Sequence, residues 1–104
     1  MRIRKKDTDE FVADESSIVR HFLPADASFS ITFLRVEGTH ENSSEAEIAY
    51  YVLEGEGIIK KNGKIEELEE EDVFYVGRKN HTLEGGMKLL AVRSPPSEHP
   101  EEQL

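Results

Sequence analysis

The 104-residue chain carries 22 acidic against 13 basic side chains, a formal net charge of −9, and no cysteine. That length allows one domain with one core, and the charge turns away phosphate backbones and anionic lipid, so neither nucleic acid nor a membrane is an expected partner. Without cysteine there are no disulfides, thiolate zinc sites, iron–sulfur clusters or thiol nucleophiles.

The opening Met-Arg-Ile-Arg-Lys-Lys lacks the apolar stretch of a signal peptide, and no run reaches the roughly 18 apolar residues of a membrane span. A cytoplasmic protein is expected. Residues 1–12 read as an extended arm anchored by Ile3, Phe11 and Val12, followed by a turn at Asp14-Glu15-Ser16-Ser17. Ile18 to Leu23 is strand-like and stops at Pro24, which cannot continue a ladder. Phe29 to Val36 is rich in β-branched and aromatic residues and reads as a second strand. Gly38 to Ser44 reads as a polar loop, and Ala46 to Glu54 as the strongest strand, broken by Gly55-Glu56-Gly57. Asn62-Gly63 supplies the positive φ angles of a type I′ turn between Ile58–Lys61 and Lys64–Leu68, with lysines facing glutamates across the hairpin. Glu69 to Asp72 is an acidic turn. Val73 to Val76 is a strand, as are His81–Leu83 and Met87–Val92, joined by Gly85-Gly86. No segment carries a helical apolar period, and short strands between turn signals predict an all-β sandwich or barrel. Residues 1–93 form the domain with its arm; 94–104, rich in Pro, Ser and Glu, read as a disordered tail.

Tyr50-Tyr51-Val52-Leu53-Glu54-Gly55-Glu56-Gly57 resembles the end of the first cupin motif, where a strand enters a tight glycine turn. Glu71-Asp72-Val73-Phe74-Tyr75-Val76 resembles the start of the second motif, and His81 falls near its histidine. The resemblance covers roughly Phe29 to Val92. It implies a small cupin-type double-stranded β-barrel, a jelly roll, and pairing into a homodimer. It also implies a mouth that holds one divalent metal (Fe, Mn, Ni, Cu or Zn) on His-x-His, a glutamate and the second-motif histidine.

Here the implied ligands are His40, Asn42, Glu47 and His81, with Asn42 standing where imidazole is usual. Counting forward from His40 makes Glu47 the carboxylate; counting back from Gly55 puts Ile48 there. One residue decides inside from outside in a strand. The even positions Ala46, Ile48, Tyr50 and Val52 look barrel-facing, and a β-bulge would be needed to return Glu47 to the interior. His40, Tyr50 and His81 are the candidate ligand-binding groups. Phe29, Ile31 and Phe33 pack a core or a dimer interface; Arg35 continues their alternation and, if inward, joins the ligand-binding groups and clamps a carboxylate or phosphate, whereas facing outward it is a surface ion pair. The expected function is binding of a small polar molecule in the barrel, with a degraded or weak metal site. The alternative is a mononuclear metal-dependent enzyme of dioxygenase, isomerase or lyase type. The direction of Glu47 separates the two.

Overall fold

The computed structural model describes residues 2–24, 26–43 and 46–96. Seven strands follow a short 3-10 turn at Lys5–Asp7: β1 (Glu10–Asp14), β2 (Ser17–Phe22), β3 (Ser30–Asn42), β4 (Glu47–Lys61), β5 (Lys64–Leu68), β6 (Val73–Gly77) and β7 (His81–Ser94). All pairings are antiparallel, in the order β1-β2-β3-β7-β4-β5, with β6 on the first half of β4. The expected arm thus contains a strand of its own, β1, hairpinned to β2 through the Asp14 turn. From residue 97 onward the expected tail lies outside the described residues, while Ser94 still ends β7 and donates its hydroxyl to the Ser28 carbonyl at 2.8 Å.

Three expected breaks turn out to be bends. Gly38, Gly55–Gly57 and Gly85–Gly86 lie inside β3, β4 and β7, which run on as strands of 13, 15 and 14 residues. Register sets Gly85 beside Gly38 on one side and beside Gly57 on the other, so three glycines stand abreast. A Cβ on Gly85 would lie 2.6 Å from the Glu56 carbonyl oxygen and 2.7 Å from the Gly57 Cα, and its φ of +134° suits glycine. The missing side chains let the three strands close up and crease together. Beyond the crease, the ends of β3, β4 and β7 run on with β5 as the second half of this one seven-stranded sheet, and the two halves (the first and second sheets) meet where Tyr50 of one bonds His81 of the other.

Within the first sheet Val19, Leu34, Leu89 and Val52 are in direct register across β2, β3, β7 and β4, each at most 1% exposed. Each such burial is worth roughly 1.5–3 kcal/mol. The next inward row brings in polar groups: His21, Thr32, Ala91 and Tyr50. Inward positions of β3 are therefore Ser30, Thr32, Leu34 and Val36. Ile31, Phe33 and Arg35 face the other way, so Arg35 takes the outward of its two alternatives. The alternation was real, but its more apolar face lies outside, where Phe33, Leu90, Tyr51 and Val73 align in one row and Ile31, Val92, Ala49 and Tyr75 in the next.

The Asn62-Gly63 hairpin forms as expected, with φ of 52° and 74°. Its lysines do not face glutamates across it: Lys60 is opposite Ile65 and instead donates to Glu84 of β7 at 2.9 Å.

Candidate functional site

His40 sits on β3 just past the crease, fully buried. The bend at Gly38, with a φ of +126°, lets the β1–β2 turn press against β3: a Cβ on Gly38 would lie 2.6 Å from Ser16 Oγ, and the Glu37 N–H donates to the Ser16 carbonyl at 2.8 Å. That docking brings Asp14 Oδ2 to 2.8 Å from His40 Nδ1, while Asp14 Oδ1 accepts the Ser16 N–H at 2.8 Å. Partial burial raises the Asp14 pKa. Bonds from the Ser16 N–H and the His40 ring outweigh that effect and hold the carboxyl below its ordinary value. An ionised carboxylate only accepts, so His40 Nδ1 carries a proton, and in the neutral form of the ring Nε2 is then a bare acceptor. That nitrogen is buried and has no hydrogen-bond partner among the described residues.

Asn42 continues the inward face and lies directly opposite His81 on β7. From the facing sheet, Tyr50 places its hydroxyl 2.6 Å from His81 Nε2, with the rings edge to face at 5.4 Å. His81 Nδ1 is 2.9 Å from the Lys79 carbonyl oxygen. A carbonyl cannot donate, so Nδ1 carries the proton, and Tyr50 donates to the Nε2 lone pair. Burial pushes the His81 pKa down; the Lys79 carbonyl raises it in part, and the nearby charges of His40 and Lys61 lower it further. Burial drives the Tyr50 phenol far upward, so it stays protonated and donating.

The structure brings together His40, Asn42, Tyr50 and His81. It does not bring in Glu47 or Arg35. Glu47 is partly exposed on the outward side of β4, 3.7 Å from Arg78, and Ile48 fills the inward position at 1% exposure. The bulge that could have turned Glu47 inward is absent: the irregularities lie at Val76 on β6 and at Leu53 on β4. Arg35 is half-buried on the outer face, lining an open groove with Glu37, Glu54 and Lys88.

The ligand set implied by the motif resemblance does not fit a metal here. An apolar side chain holds the carboxylate position, an amide holds one imidazole position, and the His81 Nε2 lone pair is engaged by Tyr50. Among the described residues no three His, Asp or Glu side chains converge as a metal centre requires.

Two residues that contribute buried polar groups or contacts, Asp14 and Arg93, escaped the sequence reading. Asp14 looked like an ordinary turn former, and its meeting with His40 spans 26 positions, which no local pattern carries. Arg93, 7% exposed, continues the inward series Met87, Leu89, Ala91; extending that period of two past Val92 would have found it.

No protein-family model matches the chain, and no curated protein matches it in sequence. Solved structures do match. Ectoine synthase from P. lautus superimposes with a TM-score of 0.79 at 18% identity, over 93% of this chain and 79% of that one. PAC13 from Streptomyces, as a single-site variant with uridine, gives 0.82 at 16%, over 98% and 88%. Bacillus subtilis oxalate decarboxylase, a protein with Mn(II) centres, gives 0.80 at 16%, over 96% of this chain and 30% of that one. All three are cupin-superfamily proteins. At these identities the likeness shows the fold, and the fold is the cupin jelly roll.

Proposed function

We propose that this cupin-fold chain binds a small polar molecule between its two sheets, at His40, Asn42, Tyr50 and His81, without a transition metal. One observation carries the reading. The interior holds a buried imidazole nitrogen with no hydrogen-bond partner among the described residues, and a 2.6 Å tyrosine–histidine bond. An unpaired buried polar atom costs roughly 1–3 kcal/mol, a cost that a ligand donor would remove. Uridine, the ligand of the PAC13 complex, is the first probe, with small sugars and hydroxy acids beside it. Thermal unfolding should rise with at least one of these in the wild type and not in His40→Ala. At a ligand concentration of 100 Kd the stabilisation is about 2.7 kcal/mol. A wild type indifferent to all of them, yet stabilised by one divalent metal per chain, would replace this reading with the metalloenzyme.

We also infer a homodimer through the outer face of the first sheet. Val73, Tyr75, Val92 and Tyr51 are 70%, 61%, 44% and 38% exposed there, in register with Phe33, Leu90 and Ile31. Contiguous apolar surface of this kind marks an interface. Sedimentation should give twice the 11.8 kDa chain mass, falling to one chain in Tyr51→Lys/Val73→Lys. A monomeric wild type at micromolar concentration would refute the pairing.

A further inference from the structure

The Asp14–His40 pair defines what the interior asks of its ligand. His40 is held at Nδ1 by an anion anchored outside the barrel wall, on the β1–β2 turn, and its other nitrogen is turned inward with no partner among the described residues. The neighbouring inward imidazole is spent: His81 donates through Nδ1 to Lys79 and accepts through Nε2 from Tyr50. We propose that Asp14 is a positioning residue that fixes His40 as its Nδ1–H tautomer, so that Nε2 is an acceptor reserved for a hydroxyl or N–H of the bound molecule. The inference rests on the binding reading above and narrows it: the ligand carries a hydrogen-bond donor, and an acceptor-only group does not satisfy this position.

The chemistry follows from the two states of a neutral imidazole. With Nδ1–H directed at Asp14 Oδ2, Nε2 has a lone pair in the ring plane and no proton. The opposite tautomer would set the Nδ1 lone pair 2.8 Å from an anionic oxygen, two acceptors face to face, and would turn Nε2 into a donor. An ionised Asp14 therefore selects one tautomer, as outer carboxylates do for imidazoles in many sites. An asparagine in its place could offer either its carbonyl or its amide to Nδ1 and would lose that selection. Asp14 reaches His40 only because the Gly38 bend admits the Ser16 turn, so the crease of the fold and the polarity of the site are linked.

The test is 15N–1H spectroscopy of the full chain with labelled histidine, near neutral pH, with assignment by His40→Gln. The wild type should show His40 with Nδ1 protonated and Nε2 bare, and Asp14→Asn should shift its resonances toward a mixture of tautomers. Erythritol and acetamide, which donate, should move the Nε2 resonance; acetate and dimethylacetamide, which only accept, should not. A wild-type ring protonated at Nε2 would overturn the proposal, as would an unchanged spectrum in a folded Asp14→Asn. Equal response to donors and acceptors, or none to either, would remove the donor requirement. If Asp14→Asn fails to fold, the wild-type tautomer still decides. Failure of the binding reading looks different: the tautomer is as stated, and no molecule raises the melting temperature.

Discussion

Replacing Tyr50 with phenylalanine tests the bond that spans the two sheets. The ring stays in the buried cluster that also holds Val52 and Ala91, and only the hydroxyl 2.6 Å from His81 Nε2 is lost. His81 is 5% exposed, so water has little access to take the hydroxyl's place. Leaving a buried acceptor unsatisfied costs about 1–3 kcal/mol, and each kcal/mol lowers the melting temperature of a domain this size by roughly 4–8 °C. The decisive form is a double-mutant cycle by urea denaturation with Tyr50→Phe, His81→Leu and the pair. Once His81 is gone, removing the hydroxyl strands nothing on the imidazole, so the two costs should not add, and the coupling should exceed about 1 kcal/mol. Coupling within about 0.5 kcal/mol of zero, the scatter of independent sites, would show that the bond does not join the sheets.

Gly85→Ala should destabilise by more than the roughly 1 kcal/mol typical of point changes, since its Cβ meets Glu56 and Gly57 backbone at the crease and its φ is +134°; Gly63→Ala, with nothing within 4 Å, is the control with only its positive φ against it, read by urea midpoint. Acid should weaken the fold in two steps. The folded His81 pKa is lowered, so the unfolded chain binds its proton first, and the stability this group contributes is full above about 6.5 and lost as pH falls through the folded value. Asp14 has the same sign in the lower, carboxylate range, and Tyr50, shifted upward, removes stability as pH rises past about 10. Urea midpoints across pH should lose their slope near pH 6 in His81→Leu, and retention of that slope would assign it elsewhere. Glu47→Ala should change stability by no more than about 0.5 kcal/mol and leave ligand-induced stabilisation intact, because its carboxylate is outside with Arg78.

Most strands and the hairpin at Asn62-Gly63 were legible because turn chemistry is local, whereas β1 read as an arm and the Gly38–Asn42 end of β3 as a loop. The glycine positions were legible too, but not their effect. A glycine reads as a break when seen alone, whereas Gly38, Gly57 and Gly85 act abreast, and only register shows that. Direction was legible on β4, where the even residues are the apolar ones and are buried, so Ile48 is inward and Glu47 is not. The same rule fails on β3. There the interior takes Ser30 and Thr32, while the outer face carries Ile31 and Phe33, because one side of this sheet faces a polar interior and the other an apolar band. Apolarity identifies the core face only when the core is the more apolar side. His40 and His81 stood out as inward candidates from their motif positions, but Asp14 joins His40 through a turn-on-strand contact that no spacing encodes.

The measurement that bears most directly on the interior as a metal-free binding site is elemental analysis of untagged protein, before and after reconstitution with iron, manganese, nickel, copper and zinc. With Ile48 at the carboxylate position and the His81 lone pair held by Tyr50, the expected content is far below one metal per chain, unchanged in His40→Ala. About one tightly held metal per chain, lost in His40→Ala or His81→Ala, would contradict it.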